Sequence, residues 1–283
     1  MKLPYILAKR FVAGETFEES IPKAQRLNEL NLKLTLDLLG ENVKDRKAAS
    51  EKVAAYIRLL HGIKEHGLIS SVSIKPTMMG LDIDPKFCRD NVFKLLDVAR
   101  EQNQYVCIDM EGSDHTQQTL DIFMEAFAEY DKHVGTVIQA MLHRSKNDIQ
   151  TLAEIGADIR LVKGAYKEPA KIALQNMPAI REAFKESAKV LLDKTSYPRF
   201  ATHDDELIEW IKEYTTGQNI PKDKFEIQML YGLREETMIQ LAEDGYSCRI
   251  YVPFGTDWLP YFTRRLTERK ENIWFVLSTI FKK

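Results

Sequence analysis

Eight short segments rich in β-branched and aromatic residues recur along the chain, separated by longer segments in which apolar residues return every three or four positions. The first kind of segment is typical of β-strands and the second of amphipathic α-helices. The predicted strands begin at Leu32, Ser71, Tyr105, Gly135, Asp158, Arg199, Phe225 and Cys248. Because strand and helix alternate eight times, the pattern predicts an α/β fold, a distorted (βα)8 TIM-type barrel with an N-terminal helix.

The helical segments are placed by their apolar faces and their first residues. The segment 84–102 carries one apolar face, formed by Val92, Leu95, Leu96 and Ala99. The segment 113–130 has Ser113 or Asp114 as its expected N-cap. No linker or low-complexity stretch interrupts the pattern, so residues 1–283 are expected to form a single barrel domain.

The composition and the absence of certain motifs exclude several classes of protein. Hydrophobic residues make up 44% of the chain and charged residues 29%, a balance typical of soluble globular proteins. A net charge of −2 gives no indication of a nucleic-acid partner. The three cysteines lie far apart with no CxxC pair, so neither a metal site nor a disulfide framework is expected. No GxGxxG motif follows a strand, which argues against a Rossmann domain.

No segment predicts secretion or membrane insertion. The N-terminal apolar run is short and is interrupted by Lys9 and Arg10, unlike a signal peptide. No stretch reaches the roughly 20 apolar residues needed to cross a bilayer. A cytoplasmic protein is therefore expected. Peripheral contact at the inner face of the membrane, through the apolar segment 272–283, is the lesser alternative.

Polar residues stand at or near the carboxyl ends of the predicted strands. They are Lys75, Asp109, Gln139, Arg160, Lys163, Thr202, His203, Gln228 and Tyr251. In a parallel barrel the active site lies at this end of the strands. Buried charges are costly unless they are paired. We therefore expect Lys75 and Asp109, which close neighbouring strands, to form an ion pair, and the remaining positive charge to bind an anion.

Two adjacent arginines, Arg264 and Arg265, lie in a helical segment after the eighth predicted strand. Tyr261 stands one turn before them and Glu268 one turn after, on the same face. Taken alone, such a pattern is most often a solvated face with weak surface ion pairs. The helix after the eighth strand of a barrel, however, lies near the mouth of the site. The two guanidinium groups are therefore expected to bind a substrate carboxylate.

Two alternatives remain open at this point. In the first, Lys75 or Lys163 is a nucleophile that forms a Schiff base with a carbonyl substrate. In the second, the barrel binds a small acid without catalysis. The fold excludes neither, because barrels support many chemistries. The density of charge at the strand ends argues against the non-catalytic barrel.

Four segments, RLVKGAY, YPRFATHD, FEIQMLYGLR and RIYVPFGTDWLPYFTRRLTER, resemble the proline dehydrogenase family, nearest its short monofunctional bacterial form. The resemblance implies a barrel that binds FAD noncovalently and oxidises L-proline to 1-pyrroline-5-carboxylate by hydride transfer to flavin N5. It implies that the electrons pass to a membrane quinone. A separate pyrroline-5-carboxylate dehydrogenase is expected to take the product, because 283 residues leave no room for an aldehyde dehydrogenase domain.

The resemblance also implies a role for each matching residue. The catalytic residues are Asp109, which supports the site, and Arg160, whose cation near flavin N5 stabilises the reduced flavin. The substrate-binding residues are Lys75, Tyr166, Tyr251, Tyr261, Arg264, Arg265 and Glu268. The FAD-binding residues are Met110, Gln139, Arg160, Lys163, Gly164, Ala165, Thr202 and His203. No residue is identified that takes the proton from the amine.

Two positions bear on selectivity and on access to the site. Tyr251 is expected to crowd a hydroxyl group on the substrate ring, so the resemblance favours L-proline over 4-hydroxyproline. Asp257 follows Thr256 in the loop after the eighth strand, where other branches of the family have a histidine. This loop is therefore expected to be specific to one branch.

Overall fold

The computed structural model describes the backbone of residues 8–268 and the side chains of residues 8–263. Eight parallel strands close into a barrel, and each strand pairs with the next along the chain. The strands are β1 (Lys33–Leu38), β2 (Ser70–Ile74), β3 (Val106–Ile108), β4 (Val134–Gln139), β5 (Ile159–Val162), β6 (Arg199–Ala201), β7 (Glu226–Leu230) and β8 (Ser247–Phe254). β8 pairs with β1 and closes the sheet. The predicted (βα)8 barrel is confirmed.

Helices alternate with the strands. They are α1 (Phe17–Glu29), α2 (Arg46–Glu65), α3 (Pro85–Glu101), α4 (Thr116–Tyr130), α5 (Ser145–Glu154), α6 (Met177–Lys194), α7 (Asp205–Gly217), α8 (Glu235–Glu243) and α9 (Trp258–Glu268). α1 precedes the first strand, as predicted. The face predicted for α3 is at most 1% exposed at Val92, Leu95, Leu96 and Ala99. Burial of such faces against the strands covers the outside of the barrel.

The start of α4 differs from the prediction. Ser113 and Asp114 belong to a short 3-10 turn, and α4 begins at Thr116 with His115 in the N-cap position and no side-chain cap. The backbone N–H and the hydroxyl of Ser113 both donate to the carboxylate of Glu168, at 2.8 and 2.6 Å. The predicted N-cap was wrong, because the Ser113 hydroxyl donates its hydrogen bond to Glu168 and does not cap the helix.

The barrel interior is charged at the amino ends of the strands. Glu226 of β7 is fully buried, and it accepts hydrogen bonds from Arg249 Nε at 2.6 Å and from Arg199 at 3.3 Å. Arg199 also donates two bonds of 2.7 Å to Asp158. Burial raises the pKa of a carboxyl group, but the two arginines outweigh it and hold the pKa of Glu226 well below its usual value. This ionic layer fills one end of the barrel and leaves the other end available for a site.

Candidate active site

A cavity of about 490 Å³ opens at the carboxyl ends of the barrel strands. Its size falls in the range of roughly 300–1,000 Å³ that is typical of small-molecule sites. Each predicted site residue with a described side chain lines this cavity. These residues are Lys75, Asp109, Met110, Gln139, Arg160, Lys163, Gly164, Ala165, Tyr166, Thr202, His203, Tyr251 and Tyr261. The barrel therefore brings the predicted residues together in one place.

Three predicted residues, Arg264, Arg265 and Glu268, lie outside the described side chains. Their backbone belongs to α9, the helix that follows β8. Tyr261, in the same helix, is buried and lines the cavity. α9 therefore begins beside the mouth of the barrel, as expected for the helix after the eighth strand.

A buried ion cluster forms part of the cavity wall. Lys75 Nζ lies 2.7 Å from Asp37 and 3.8 Å from Asp109. The expected pairing of Lys75 with Asp109 is present, but the closer partner is Asp37 of β1, which was not anticipated. A signal for it existed, since Asp37 is the only charged residue in the segment 34–39, which otherwise contains leucines and one threonine. A charge in a buried strand needs a partner.

Asp109 connects several strands at the cavity. Its Oδ1 atom accepts hydrogen bonds from the Ser73 hydroxyl at 2.6 Å and from Arg160 Nη1 at 2.8 Å. Its Oδ2 atom accepts from the Tyr251 hydroxyl at 2.7 Å. Ser73, Arg160 and Tyr251 belong to β2, β5 and β8. The carboxylate therefore fixes the direction of both Arg160 and Tyr251.

The cluster keeps Lys75 charged. Burial lowers the pKa of an amine, but Asp37 and Asp109 outweigh it and raise the pKa of Lys75 above its usual value. Burial also raises the pKa of Asp37, an effect that Lys75 opposes and Asp109 reinforces. With Arg160 as the second cation, two carboxylates face two positive charges. The cluster is thus formally neutral before any ligand binds.

Arg160 offers an unused hydrogen-bond donor. The residue is only 4% exposed, and its buried Nε atom has no hydrogen-bond partner among the described residues. The guanidinium carbon lies 5.3 Å from the centre of the Tyr251 ring. A buried donor without an acceptor is costly. The donor at Arg160 therefore fits an acceptor atom supplied by a ligand.

A second charged group lies on the β5–β6 side of the cavity. Lys163 Nζ is 2.8 Å from Asp204, which also accepts a hydrogen bond from Arg181 Nε at 2.9 Å. Burial raises the pKa of a carboxyl group, but these two hydrogen-bonded cations outweigh it and lower the pKa of Asp204 to about 2. Asp204 also accepts from the backbone N–H of Glu206 at the start of α7. Lys163 is therefore held against a fixed carboxylate.

Backbone geometry shapes the same wall. Gly164 has a φ of +120°, and a Cβ atom there would lie 2.4 Å from the sulfur of Met141, so the position requires glycine. His203 Nε2 accepts a hydrogen bond from the backbone N–H of Leu230 at 3.0 Å. The proton of a neutral His203 is consequently on Nδ1.

The sequence matches one family over most of its length. Residues 20–277 match the profile described as "Proline dehydrogenase". The chain belongs to the proline dehydrogenase family. It is 41% identical to proline dehydrogenase 1 of Bacillus subtilis over 276 residues, which cover 98% of this chain and 91% of that protein. The proline dehydrogenase of Deinococcus radiodurans is 36% identical over 280 residues, or 98% of this chain and 90% of that protein.

Larger relatives contain a similar barrel. The structure of proline utilization A from Bdellovibrio bacteriovorus, inactivated by N-propargylglycine, matches with a TM-score of 0.86 at 27% identity. The match covers 93% of this chain and 32% of that protein. The bifunctional protein PutA of Escherichia coli is 28% identical over 317 residues, which cover 96% of this chain and 24% of that protein. This proline dehydrogenase family member therefore corresponds to one part of those larger proteins.

The predicted family and enzyme class are confirmed by these similarities. The roles predicted for individual residues stay predictions, supported by their positions in the cavity. Across residues 8–268, no helix is both long enough and apolar enough to span a bilayer. Among the side chains that the structure describes, no group of three or more His, Cys, Asp or Glu residues is arranged to bind a metal ion.

Proposed function

We propose that this protein is an FAD-dependent proline dehydrogenase that oxidises L-proline to 1-pyrroline-5-carboxylate, the first step of proline degradation to glutamate. The observation that carries this proposal is the buried cluster of Asp37, Lys75, Asp109 and Arg160 at the cavity of a barrel of this family. Relatives named proline dehydrogenase that align with 98% of the chain support the same activity.

Two donors at the cavity support the proposal of a flavin cofactor. Arg160 Nε is buried and lacks an acceptor among the described residues, and Lys163 supplies a cation for the anionic part of the cofactor. The proposed FAD contacts are Met110, Gln139, Arg160, Lys163, Gly164, Ala165, Thr202 and His203. When bound, FAD would be the oxidant and would accept at N5 the hydride from C5 of L-proline, the ring carbon next to the nitrogen that does not carry the carboxylate. Arg160, oriented by Asp109, faces the negative charge that develops in the reaction.

L-Proline is a zwitterion, and the proposed site offers a matching group for its carboxylate. Lys75 is held as an ammonium by two carboxylates, so it binds an anion without first gaining a proton. Arg264 and Arg265, from α9, are proposed to complete this carboxylate site, with Glu268 beside them. The side chains proposed to line the pocket for the pyrrolidine ring of L-proline are those of Tyr166, Tyr251 and Tyr261. Fixing the ring in one orientation is the main task of such a pocket, because transfer requires close approach of the reacting atoms.

The Schiff-base alternative is disfavoured by the state of the lysines. A nucleophilic lysine must be a neutral amine. The pKa of Lys75 is raised by Asp37 and Asp109, which outweigh burial, so Lys75 stays protonated at neutral pH. Lys163 is paired with Asp204 at 2.8 Å. Membership of an oxidoreductase family also argues against a barrel that only binds its ligand.

Further properties of the protein are proposed from the resemblance to the monofunctional form. The electrons pass to a membrane quinone, and a separate pyrroline-5-carboxylate dehydrogenase takes the product. We propose a cytoplasmic location, with peripheral contact at the inner face of the membrane, where the quinone lies, as the lesser alternative. Residues 1–283 form one barrel domain, and the reaction involves no metal and no nucleic acid.

The test is the visible absorbance of the purified protein under anaerobic conditions, before and after L-proline is added. Flavin bands that bleach with L-proline and return when a soluble quinone is added are the expected result. Flavin bands that persist with L-proline would reject proline as the substrate. Absence of flavin after reconstitution with FAD would reject the flavoprotein and return the Schiff-base lysine to first place, to be tested by borohydride trapping.

A further inference from the structure

Asp37 is a buried carboxylate at the cavity that helps to keep Lys75 charged, but it is not among the residues proposed to contact L-proline or FAD. It lies in β1, is 1% exposed, and lines the cavity beside Lys75. Its Oδ1 atom accepts a hydrogen bond from Lys75 Nζ at 2.7 Å. An ionised carboxylate is not kept in such a place without a compensating partner.

Lys75 lies between two carboxylates that differ in their other partners. Both oxygens of Asp109 already accept hydrogen bonds, from Ser73 and Arg160 at Oδ1 and from Tyr251 at Oδ2. Lys75 is 3.8 Å from Asp109, beyond hydrogen-bond distance, but 2.7 Å from Asp37. Asp37 therefore accepts the hydrogen bond from the Lys75 ammonium, while Asp109 accepts hydrogen bonds from Ser73, Arg160 and Tyr251.

We propose that Asp37 is a positioning residue, which holds the Lys75 ammonium at the substrate end of the cavity and keeps it away from Asp109. This inference rests on the proposed function, in which Lys75 binds the substrate carboxylate. Without the Asp37 carboxylate, the nearest remaining anion for Lys75 is Asp109. Lys75 would then compete with Tyr251 and Arg160 for the oxygens of Asp109, and all three side chains would lose their present directions.

Loss of Asp37 would also change the charge state of Lys75. Burial favours the neutral amine, and Asp37 is the largest of the charges that oppose it. The groups that act on Lys75 are Asp37 from β1, Tyr56 from α2, and Asp109 and Glu111 after β3. The other charged or titratable groups that line this part of the cavity include Glu41, Arg160 and Tyr251. Of these, Arg160 is positively charged and the two tyrosines are neutral at physiological pH. Removing Asp37 therefore leaves Lys75 with weaker compensation and a lower pKa.

The first test is Asp37→Asn, which keeps the shape of the side chain and removes its charge. We expect kcat/KM for L-proline to fall about 10- to 100-fold, the size of effect that misplacement of a contacting group by about 1 Å produces. The deficit should grow as the pH rises, because loss of the Asp37 charge lowers the pKa of Lys75, whereas the parent keeps the ammonium protonated. Asp90→Asn is the matched control, since it breaks a lysine–aspartate pair of the same 2.7 Å length on the exposed face of α3.

A double variant separates positioning from a general loss of structure. If Asp37 acts through Lys75, then adding Asp37→Asn to Lys75→Met should lower kcat/KM little further. The reason is that both substitutions remove the same Asp37–Lys75 interaction. Binding of tetrahydrofuran-2-carboxylate, a proline analogue that lacks the amine, should weaken in parallel with kcat/KM. Fully additive losses in the double variant would overturn the proposal.

A parent enzyme that does not oxidise L-proline would reject the proposed function itself, whereas an active parent with an unchanged Asp37→Asn variant would reject only the role of Asp37. If Asp37→Asn does not fold, Asp37→Glu replaces it, because that variant keeps the charge but moves it by one methylene. We expect a partial loss whose pH profile follows the parent. Parent-like kcat/KM in Asp37→Glu would show that Asp37 does not set the position of Lys75.

Discussion

The hydroxyl of Tyr251, on β8, donates a hydrogen bond of 2.7 Å to Asp109, which follows β3. The two strands are not neighbours in the barrel, so this bond crosses its interior. Asp109 is itself held by Ser73 and Arg160. The Tyr251 ring is therefore anchored at its hydroxyl end, and its freedom to move aside for a larger substrate is limited.

Tyr251→Ser should broaden the substrate range. We expect the ratio of kcat/KM for 4-hydroxyproline to that for L-proline to rise by about 10-fold or more, because the smaller side chain makes room for a ring hydroxyl. Steady-state kinetics with both substrates measures the ratio. Tyr251→Phe is the control, since it removes the bond to Asp109 but keeps the ring. An unchanged ratio in Tyr251→Ser would show that this residue does not limit the ring pocket.

Arg264→Met and Arg265→Met should each weaken binding of L-proline. Loss of a charged hydrogen-bonded contact costs about 2–4 kcal/mol, which corresponds to a KM roughly 30- to 1,000-fold higher. The KM for L-proline and the FAD content are to be measured together, and the FAD content should stay unchanged. Arg46→Met, at an exposed pair with Asp84, serves as the control. A parent-like KM in both variants would reject the carboxylate site on α9.

Glu226→Gln should destabilise the barrel far from the cavity. The change leaves Arg199 and Arg249 buried without their shared carboxylate, and breaking a buried ion network in this way costs about 3–5 kcal/mol. The free energy of unfolding in urea measures the effect. Glu235→Gln removes one partner of a surface pair with Arg26 and should cost about 0–1 kcal/mol. Equal losses in the two variants would contradict a stabilising role for the buried layer.

Asp204 should contribute stability that disappears in acid. Its pKa in the folded protein is lowered to about 2, below the value of about 3.9 in an unfolded chain. A lowered pKa means that the contribution is fully present above about pH 4 and is lost as the pH falls toward 2. The difference in Tm between the parent and Asp204→Asn should therefore be constant from pH 7 to pH 5 and shrink at lower pH. A difference that does not vary with pH would show that the carboxylate charge is not responsible.

The barrel fold and many of the residues that line its cavity could be predicted from the sequence, because both depend on local features that repeat along the chain. Strand and helix periodicities recur over many residues, so an error at one position does not hide the alternation of elements. Parallel closure then brings the carboxyl ends of all strands to one side, whatever the connecting loops do. Lys75, Asp109 and Arg160 could be assigned to one cavity on that basis alone.

The choice of partners within that cavity could not be predicted in the same way. Asp37 is 38 residues from Lys75, and Glu168 is 55 residues from the Ser113 side chain that it takes from the α4 cap. Glu226 and Arg249 likewise pair near the amino ends of their strands. In the sequence alone, charged residues at such positions cannot be distinguished from charged residues that are exposed to solvent. A hydrogen bond depends on distances of a few tenths of an ångström, and these follow from strand register and barrel closure. The alternation of strands and helices can therefore be recognised in the sequence. The geometry of the ion pairs is set only when the strands pair and the barrel closes.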